Sequence, residues 1–373
     1  MTPALIIAAM RTAVVPRGGG FAGLPIHALG APVIEQLLAG AGITADEVDE
    51  LILSNALGAG GNPARLTALA AGLPERVAGL SIDRQCAGGL DALMLARALI
   101  VAGQADVVIA GGVESYSRRP LRSQTFTDGR APEPYDQPPF APWPGRDPEM
   151  ANAADKLAQD MSISREAQDL WAVDSHTKAR AAQTRLRSEI VVLADMADDS
   201  FTRDLTPGLC ARAAVIAGSI TTANTSVAAD AAGFCLVVSD RIAARLGAPA
   251  VELIAGATLG DRPEMPGLAP VAAIERALGL AGISSRDLTV AEMMEAYAAQ
   301  AIACIHASDL DPAIVNLGGG SLARGHPIGA SGAINAVRLF HELRARGGVG
   351  LAAIAAAGGI GSAAVMRADR GSR

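Results

Sequence analysis

The first third and the last part of this chain carry the same unusual unit. In each unit one reactive side chain precedes a glycine cluster, an apolar helix and a strand that ends in glycines. In the first unit Cys86 precedes Gly88-Gly89, and in the second His326 precedes Gly329-Ala-Ser-Gly332. A glycine-rich helix start occurs in many β-strand–helix–strand units, which is the simpler interpretation. Because the order, the spacing and the reactive position all recur, we interpret the chain as a duplication with two similar halves.

Short apolar runs alternate with Ala- and Leu-rich stretches of helical length in the first third of the chain. The predicted strands are Leu5–Ala9, Glu50–Asn55, Leu80–Arg84 and Asp106–Gly111, and the predicted helices are Pro25–Gly42, Arg65–Gly72 and Gly88–Gly103. This alternation with short connections predicts a layered α/β fold.

The middle of the chain interrupts this alternation from about residue 117 to about residue 239. Residues 130–148 hold seven prolines in nineteen positions, which predicts an ordered loop or lid rather than a sheet element. A helix is predicted over Gln168–Arg187, and the α/β alternation returns from about Pro249. We therefore expect a first half over residues 1–245, with a loop domain inserted at about 117–239, and a second half over residues 246–373.

Composition excludes several classes of protein. Charged residues make up 18% of the chain against 50% apolar, which argues against disorder, and a net charge of −7 without a basic tract argues against nucleic-acid binding. Four widely spaced cysteines without a CxxC pair form neither a disulfide scaffold nor a zinc site, so we expect a reducing compartment and no bound metal. Mean hydropathy is +0.29, yet the longest apolar stretches are short or interrupted by glycines. With no basic segment before the first apolar run, we expect a cytoplasmic protein that does not enter a membrane.

Cys86 is the first candidate for chemistry. It follows a predicted strand and precedes a helix that starts near Gly88, where free N–H groups and the helix dipole lower a thiol pKa and stabilise an oxyanion. The alternative is an inert buried cysteine. His326 favours the reactive interpretation, because it lies in a glycine-rich loop that begins at Asn316, and the equivalent loops of two halves would meet across a pseudo-two-fold axis. The remaining histidines are interpreted as surface or packing residues: His27, His176, His306 and His341.

At these motifs the chain resembles the thiolases, acyltransferases that make or cleave 3-ketoacyl-CoA. The resemblance covers nearly the whole chain, and the Cys86 and His326 segments are the most specific. The matching segments are Ala8-Ala-Met-Arg-Thr12, Gly61-Asn-Pro-Ala-Arg65, Arg84-Gln-Cys-Ala-Gly-Gly-Leu90, Gly111-Gly-Val-Glu-Ser-Tyr-Ser117, Ser162-Ile-Ser-Arg-Glu-Ala-Gln-Asp169, Ser219-Ile-Thr-Thr-Ala-Asn-Thr-Ser226 and Gly325-His-Pro-Ile-Gly-Ala-Ser-Gly332.

The resemblance implies a five-layered αβαβα fold with two similar halves, an inserted loop domain, dimers or tetramers, and a ping-pong mechanism. It implies that Cys86 takes the acyl group from acyl-CoA as a thioester, while His326 activates Cys86 and helps to bind the thioester oxygen. It implies no bound cofactor, since coenzyme A thioesters are the substrates. The remaining implied positions are Ser226, Asn224, Gly325 and Met150 along the substrate and CoA, and Asn316 and Gly359 as oxyanion or loop support.

Two departures from the family pattern limit the chemistry. Met294-Glu-Ala-Tyr297 stands where thiolases carry Asn-Glu-Ala-Phe, whose asparagine holds a water in an oxyanion hole. Ala355 stands where they carry the second cysteine, which removes the α-proton of the nucleophilic acyl-CoA. An alanine moves no proton, and a methionine is a poor donor. Glu295 and Tyr297 are candidate replacements, and Cys304 is a weaker one. The segment Ala87-Gly88-Gly89 also stands where the family usually shows Gly-Ser-Gly.

The sequence therefore predicts an acyltransferase that loads Cys86 and passes the acyl group to another acyl-CoA or to a carbon, oxygen or nitrogen nucleophile. Two alternatives stay open: a catalytically reduced subunit that binds CoA esters or an active partner, and a 3-ketoacyl-CoA thiolase with an unusual base. Neither acyl chain nor acceptor is specified. We expect a homodimer or homotetramer, or a complex with another thiolase-like or accessory protein. The apolar edge segment Gly79–Arg84 is predicted to pair with its copy in a second subunit.

Overall fold

The computed structural model of the chain describes residues 2–58 and 60–369. The strands in this part of the chain are β1 (Ala4–Thr12), β2 (Val15–Pro16), β3 (Glu50–Ser54), β4 (Leu80–Ile82), β5 (Val107–Glu114), β6 (Arg122–Gln124), β7 (Glu133–Tyr135), β8 (Ile190–Val191), β9 (Val215–Ala217), β10 (Ile220–Thr221), β11 (Ala229–Ser239), β12 (Val251–Gly260), β13 (Val290–Met293), β14 (Gly348–Ala356) and β15 (Ile360–Ala368).

The α-helices follow the predicted pattern wherever the sequence analysis placed one. They are α1 (Ile26–Ala41), α2 (Pro63–Ala70), α3 (Gly88–Val101), α4 (Met150–Asp160), α5 (Arg165–Leu186), α6 (Pro207–Ala211), α7 (Asp240–Leu246), α8 (Ala269–Ala281), α9 (Ala298–Ala307), α10 (Ser321–Arg324) and α11 (Ile328–Arg346). None of the helices in the described residues is long and apolar enough to span a lipid bilayer.

The strand order shows the duplication directly. In the first half, β3 runs parallel to β5, β5 antiparallel to β11, and β11 antiparallel to β1. The second half repeats these directions, because β13 is parallel to β14, β14 antiparallel to β15, and β15 antiparallel to β12. Within residues 2–58 and 60–369, the two half-sheets join only at β1 and β12, through the pairs Leu5–Glu252 and Ile6–Val251. Each half is therefore a sheet of the same design.

Helices and half-sheets stack in five layers. On the outer face of the first half-sheet α1 and α2 pack, burying residues such as Leu37, and on the outer face of the second α8 and α9 pack, burying residues such as Ile274. Between the half-sheets lie α3 and α11, whose Leu90 and Val337 share one apolar core with both sheets. This is the αβαβα arrangement that the resemblance implied, and the expectation is confirmed.

Glycine is required where the two central helices begin, because their backbones approach closely there. A Cβ on Gly89 would lie 2.6 Å from the backbone nitrogen of Ala333, and a Cβ on Gly332 would lie 2.5 Å from that of Leu90. The glycine clusters therefore let the starts of α3 and α11 touch. This contact is what brings the loops in front of the two helices together.

The structure corrects the extent of the inserted segment. Strand β11 lies in the core sheet between β1 and β5, and all its residues are buried. The segment that leaves the α/β pattern therefore ends before Ala229 and not near residue 239. Its proline-rich part also contains a strand, since β7 pairs with β6 in a two-stranded ribbon apart from the core sheet.

Candidate functional site

A cavity of about 560 Å³ opens where the starts of α3 and α11 meet. Its floor includes Cys86, His326 and Ala355, and its roof comes from α4 and the proline-rich segment, including Met150 and Phe140. The inserted segment therefore covers the junction of the two halves. The proline-rich segment, which the sequence analysis interpreted as an ordered loop or lid, forms part of this cover.

Cys86 and His326 lie in contact at the bottom of this cavity. Cys86 sits in a single 3₁₀ turn, Gln85–Ala87, directly before α3, and its Sγ lies 3.1 Å from Nε2 of His326. The other ring nitrogen, Nδ1, lies 2.7 Å from the hydroxyl oxygen of Ser331. Sulfur, imidazole and hydroxyl thus form a connected row, in which the imidazole can take a proton from the thiol.

Burial sets the charge state of this pair. It raises the pKa of the Cys86 thiol to about 12, and the negative charges of Glu114 and Asp83 act in the same direction. It lowers the pKa of His326 to about 4. Thiol and imidazole are therefore both neutral at pH 7 in the free site. Burial therefore opposes the lowering of the thiol pKa that the sequence analysis expected from the helix start.

The loop that delivers His326 is fixed by its backbone. The N–H of His326 donates to the carbonyl oxygen of Val227 at 2.8 Å. Gly325 adopts a φ of 116°, and a Cβ there would lie 2.9 Å from Cβ of Ala229. Gly325, which the sequence analysis assigned to substrate binding, is not among the cavity-lining residues. It shapes the turn that aims the imidazole.

Glu114 supports the site, although the sequence analysis did not single it out as a site residue. Its carboxylate accepts hydrogen bonds from Asn55 Nδ2 at 2.7 Å and from the backbone N–H of Ala56 and Gly329, each at 3.0 Å. It therefore ties the end of β5 to a cavity-lining loop and to the start of α11. Burial raises the pKa of this carboxyl to about 7. A glutamate at the end of a buried, glycine-rich strand was the signal that could have identified it.

The other residues predicted along the substrate divide into two groups. Ser226 and Met150 line the cavity. Asn224 does not, since its side-chain oxygen accepts from the N–H of Thr221 at 2.8 Å and its Nδ2 donates to Asp169 at 3.0 Å. These bonds hold the loop that leads to Ser226. Asn224 therefore positions a cavity-lining residue without lining the cavity itself.

Gly359 and Asn316, predicted as oxyanion or loop support, both lie outside the cavity wall. Gly359 has a φ of 74°, and its carbonyl oxygen accepts from the N–H of Asp261 at 2.7 Å in the turn after β14. The Asn316 amide is buried and bonds to both backbone groups of Met293, at 2.8 and 2.9 Å, and to Glu295 at 2.7 Å. Both residues support loops and are not among the residues that line the cavity.

The structure turns Glu295 away from Cys86. Its carboxylate is buried and accepts hydrogen bonds from Trp171 Nε1 at 3.0 Å, Ser175 Oγ at 2.8 Å and the N–H of Leu322 at 3.1 Å, besides the one from Asn316. Four donors occupy its oxygens, and it does not line the cavity. Glu295 therefore joins α5 to the loop before α11, and the expectation of a replacement base at this position is corrected.

The two departures from the family pattern are also visible in space. Ala355 lines the cavity and presents only a methyl group there. Met294 is buried outside the cavity, with the Ser321 hydroxyl 3.4 Å from its sulfur. Cys304 is buried behind the cavity wall, where its thiol donates to the carbonyl oxygen of Gly267 at 2.9 Å. Tyr297, by contrast, lines the cavity.

Two further observations bear on cofactors. Among the described residues, no group of three or more His, Cys, Asp or Glu side chains is arranged to hold a metal ion. The four cysteines are all free thiols.

Comparison with known proteins gives a consistent result. The family model for the thiolase N-terminal domain matches residues 4–241, and that for the thiolase C-terminal domain matches residues 248–368. The chain is 38% identical over 399 residues to an acetyl-CoA acetyltransferase of Cupriavidus necator and 36% identical over 396 residues to one of Shinella zoogloeoides; each alignment covers 97% of this chain and 98% of the relative. The crystal structure of the Bacillus anthracis acetyl-CoA acetyltransferase superposes with a TM-score of 0.92 at 31% identity and covers 99% of both chains.

Proposed function

The chain belongs to the thiolase family and is an acyltransferase that works through a cysteine, and from this premise we propose that Cys86 carries the acyl group and His326 moves the protons. The single observation that carries the proposal is the 3.1 Å contact between Sγ and Nε2 inside a covered cavity. Acyl-CoA is the donor, and no bound cofactor takes part in either step.

In the first step, Sγ of Cys86 attacks the thioester carbonyl carbon while Nε2 of His326 takes the thiol proton. The carbonyl electron pair moves to the oxygen, then returns and expels the CoA thiolate, which receives from His326 the proton that came from Cys86. Because both groups are neutral in the free site, proton transfer accompanies attack. The product is a thioester on Cys86 and free CoA.

In the second step, an acceptor attacks the acyl group on Cys86. The attacking atom of the acceptor bonds to the carbonyl carbon while His326 takes the acceptor's proton. The bond between that carbon and Sγ then breaks, and the proton passes from His326 to the sulfur. At the family's position for a second proton carrier the cavity holds the methyl group of Ala355. We therefore propose an acceptor that attacks through sulfur, oxygen or nitrogen, because such a proton is within reach of imidazole whereas a C–H proton needs a further base.

Assembly and location complete the proposal. In the described residues β4 pairs only with β3, and Leu80 on β4 is exposed, as are Leu66 and Leu69 on α2, which packs against β4. An apolar unpaired edge of this kind favours pairing with the same strand of a second copy, so we propose a homodimer across β4. The free cysteines support a reducing, cytoplasmic location.

Intact-mass analysis after mixing with acetyl-, butyryl- and octanoyl-CoA tests the acyl carrier. We expect one acyl group on the parent protein and on Cys304→Ala, whose thiol is buried behind the cavity wall. We expect none on Cys86→Ala. An equal mass gain on Cys86→Ala would show that the acyl group sits elsewhere, and no gain on any of the three proteins would refute acyl transfer through this cavity.

A further inference from the structure

Two of the three tyrosines of the chain line the cavity, although aromatic residues make up only 3% of the sequence. These are Tyr116 and Tyr297. Tyr297 is the more informative, because it stands at the position of phenylalanine in the motif that the chain resembles. A phenol therefore replaces a hydrocarbon ring next to the reacting groups.

The structure holds Tyr297 firmly. Its side chain packs against an apolar cluster of Ala154, Ala158, Ile220 and Ala299. Its backbone forms a bridge with Thr225 and occupies the N-cap position of α9. A ring fixed in this way presents its hydroxyl in one place, which is what a donor aimed at a reacting atom requires.

The hydroxyl and the nucleophile share one cavity, since Tyr297, Cys86 and His326 all line it. Burial raises the pKa of Tyr297 to about 12. The phenol therefore stays protonated at neutral pH. It can donate a hydrogen bond within the cavity, and this pKa disfavours the role of base that the sequence analysis considered for Tyr297.

Two other polar side chains of the same wall already donate hydrogen bonds within the protein. The hydroxyl of Ser226 donates to the carbonyl oxygen of Glu295. The side-chain amide of Gln300 donates to Sγ of Cys304 at 3.7 Å. Met294, at the family's asparagine position, has no donor to offer. The hydroxyl of Thr225, which also lines the cavity, is buried without a hydrogen-bond partner among the described residues and is a second donor available there.

We propose that the Tyr297 hydroxyl donates a hydrogen bond to the carbonyl oxygen of the acyl group on Cys86. The inference rests on the proposed acylation of that cysteine. When the acceptor attacks, the carbonyl electron pair moves onto this oxygen, and the hydrogen bond strengthens as the negative charge grows. Tyr297 keeps its proton throughout, because the electron pair returns and expels Sγ. The phenol thereby supplies an oxyanion donor in a site that has lost the family's asparagine.

The test compares Tyr297→Phe, which restores a hydrocarbon ring of the same shape, with Tyr116→Phe as a matched control in the same cavity. Each protein is loaded with [1-¹³C]acetyl-CoA and freed of excess reagent. It is then mixed with N-acetylcysteamine, and loss of the acyl mass is followed in time. Removing one donor to a developing oxyanion slows a reaction by about 10²–10³-fold in other enzymes. We expect a slowing of about 10–100-fold for Tyr297→Phe and less than about 3-fold for Tyr116→Phe.

Infrared spectroscopy supplies a second reading that a merely structural role would not move. A hydrogen bond to the ¹³C-labelled thioester carbonyl lowers its stretching frequency, so the band should lie higher in Tyr297→Phe than in the parent. An unchanged band, or equal discharge rates in the two variants, overturns the inference while acylation stands. If the parent gains no acyl mass at all, the proposed function itself is wrong.

Discussion

Replacing Ala355 by cysteine tests whether one missing thiol limits the chemistry of this site. Ala355 lies near the end of β14, pairs with Gly361 and lines a cavity of about 560 Å³. One added sulfur atom therefore enters open space and overpacks nothing. Met294→Asn is less clean, because Met294 is buried in the central core, and truncating a buried methionine costs about 2–5 kcal/mol.

The magnitude follows from what a positioned base contributes. General base catalysis is worth about 10²–10⁴-fold, which is about 3–5.5 kcal/mol of activation free energy. We expect Ala355→Cys to raise α-proton removal from acetyl-CoA by a factor in that range, and the formation of acetoacetyl-CoA with it. Adding Met294→Asn should raise condensation further, with coupling between the two changes, because both would serve one oxyanion and one carbanion.

The most direct assay is deuterium incorporation at the α-carbon of acetyl-CoA in D₂O, because it reports the base without requiring condensation. Ala357→Cys is the matched control, since it places the same thiol in the same cavity wall two residues away. The parent and Ala357→Cys should exchange slowly, and Ala355→Cys quickly. Rapid exchange by the parent, or equal exchange by the two variants, would refute the argument that Ala355 removes the base.

Three further predictions concern pH, packing and assembly. Burial lowers the pKa of His326 from 6.5 to about 4, so the rate of Cys86 acylation should stay constant from pH 8 to about pH 5 and fall near pH 4. A fall in that rate near pH 6.5 would contradict this prediction. Because the imidazole has the higher pKa in the unfolded chain, lowering the pH protonates the unfolded chain first. The free energy of unfolding should therefore fall by about 2 kcal/mol between pH 7 and pH 5 through His326. In urea titrations, His326→Gln should lose less stability over this pH range by that amount. Gly89→Ala should destabilise the protein by about 1–3 kcal/mol, because the added Cβ would clash with α11. Gly279→Ala should stabilise it by up to about 1 kcal/mol, because Gly279 is exposed on α8 with open space around it. Urea titrations of both variants measure the two changes. Light scattering at low micromolar concentration should show at least a dimer for the parent and monomers for Leu80→Lys, and a monomeric parent with full Cys86 loading would refute the β4 interface alone.

Sequence patterns predicted the parts of the structure that depend on periodicity. The strand and helix segments before residue 117 lie where alternating apolar runs placed them, and the recurring glycine clusters identified the contact between α3 and α11. The meeting of Cys86 and His326 followed from the same recurrence. These features are fixed by regular backbone geometry, which sequence period reports well.

Features that depend on where a side chain points in an irregular loop were not predictable. Glu295 and Tyr297 are two residues apart, yet one faces α5 and the other the cavity. Strand β11 was assigned to the insertion, because a buried strand between two loop-rich segments carries no signal of which sheet it joins. The thiol pKa of Cys86 was expected to fall, because sequence shows a helix start but not the amount of water that folding removes.

The pairing of β1 with β11 has a consequence during protein synthesis. Ala4 at the start of the chain pairs with Ser239, so β1 stays without its long neighbour until most of the first half has left the ribosome. Cys86 then waits for His326, which lies 240 residues further on. Contacts this far apart in sequence form slowly, and nascent chains that stop between them expose unpaired strands to chaperones. A ribosome-bound chain should therefore gain its reactive pair only when the second half has emerged and docked, so acyl loading would report completion of folding on the ribosome.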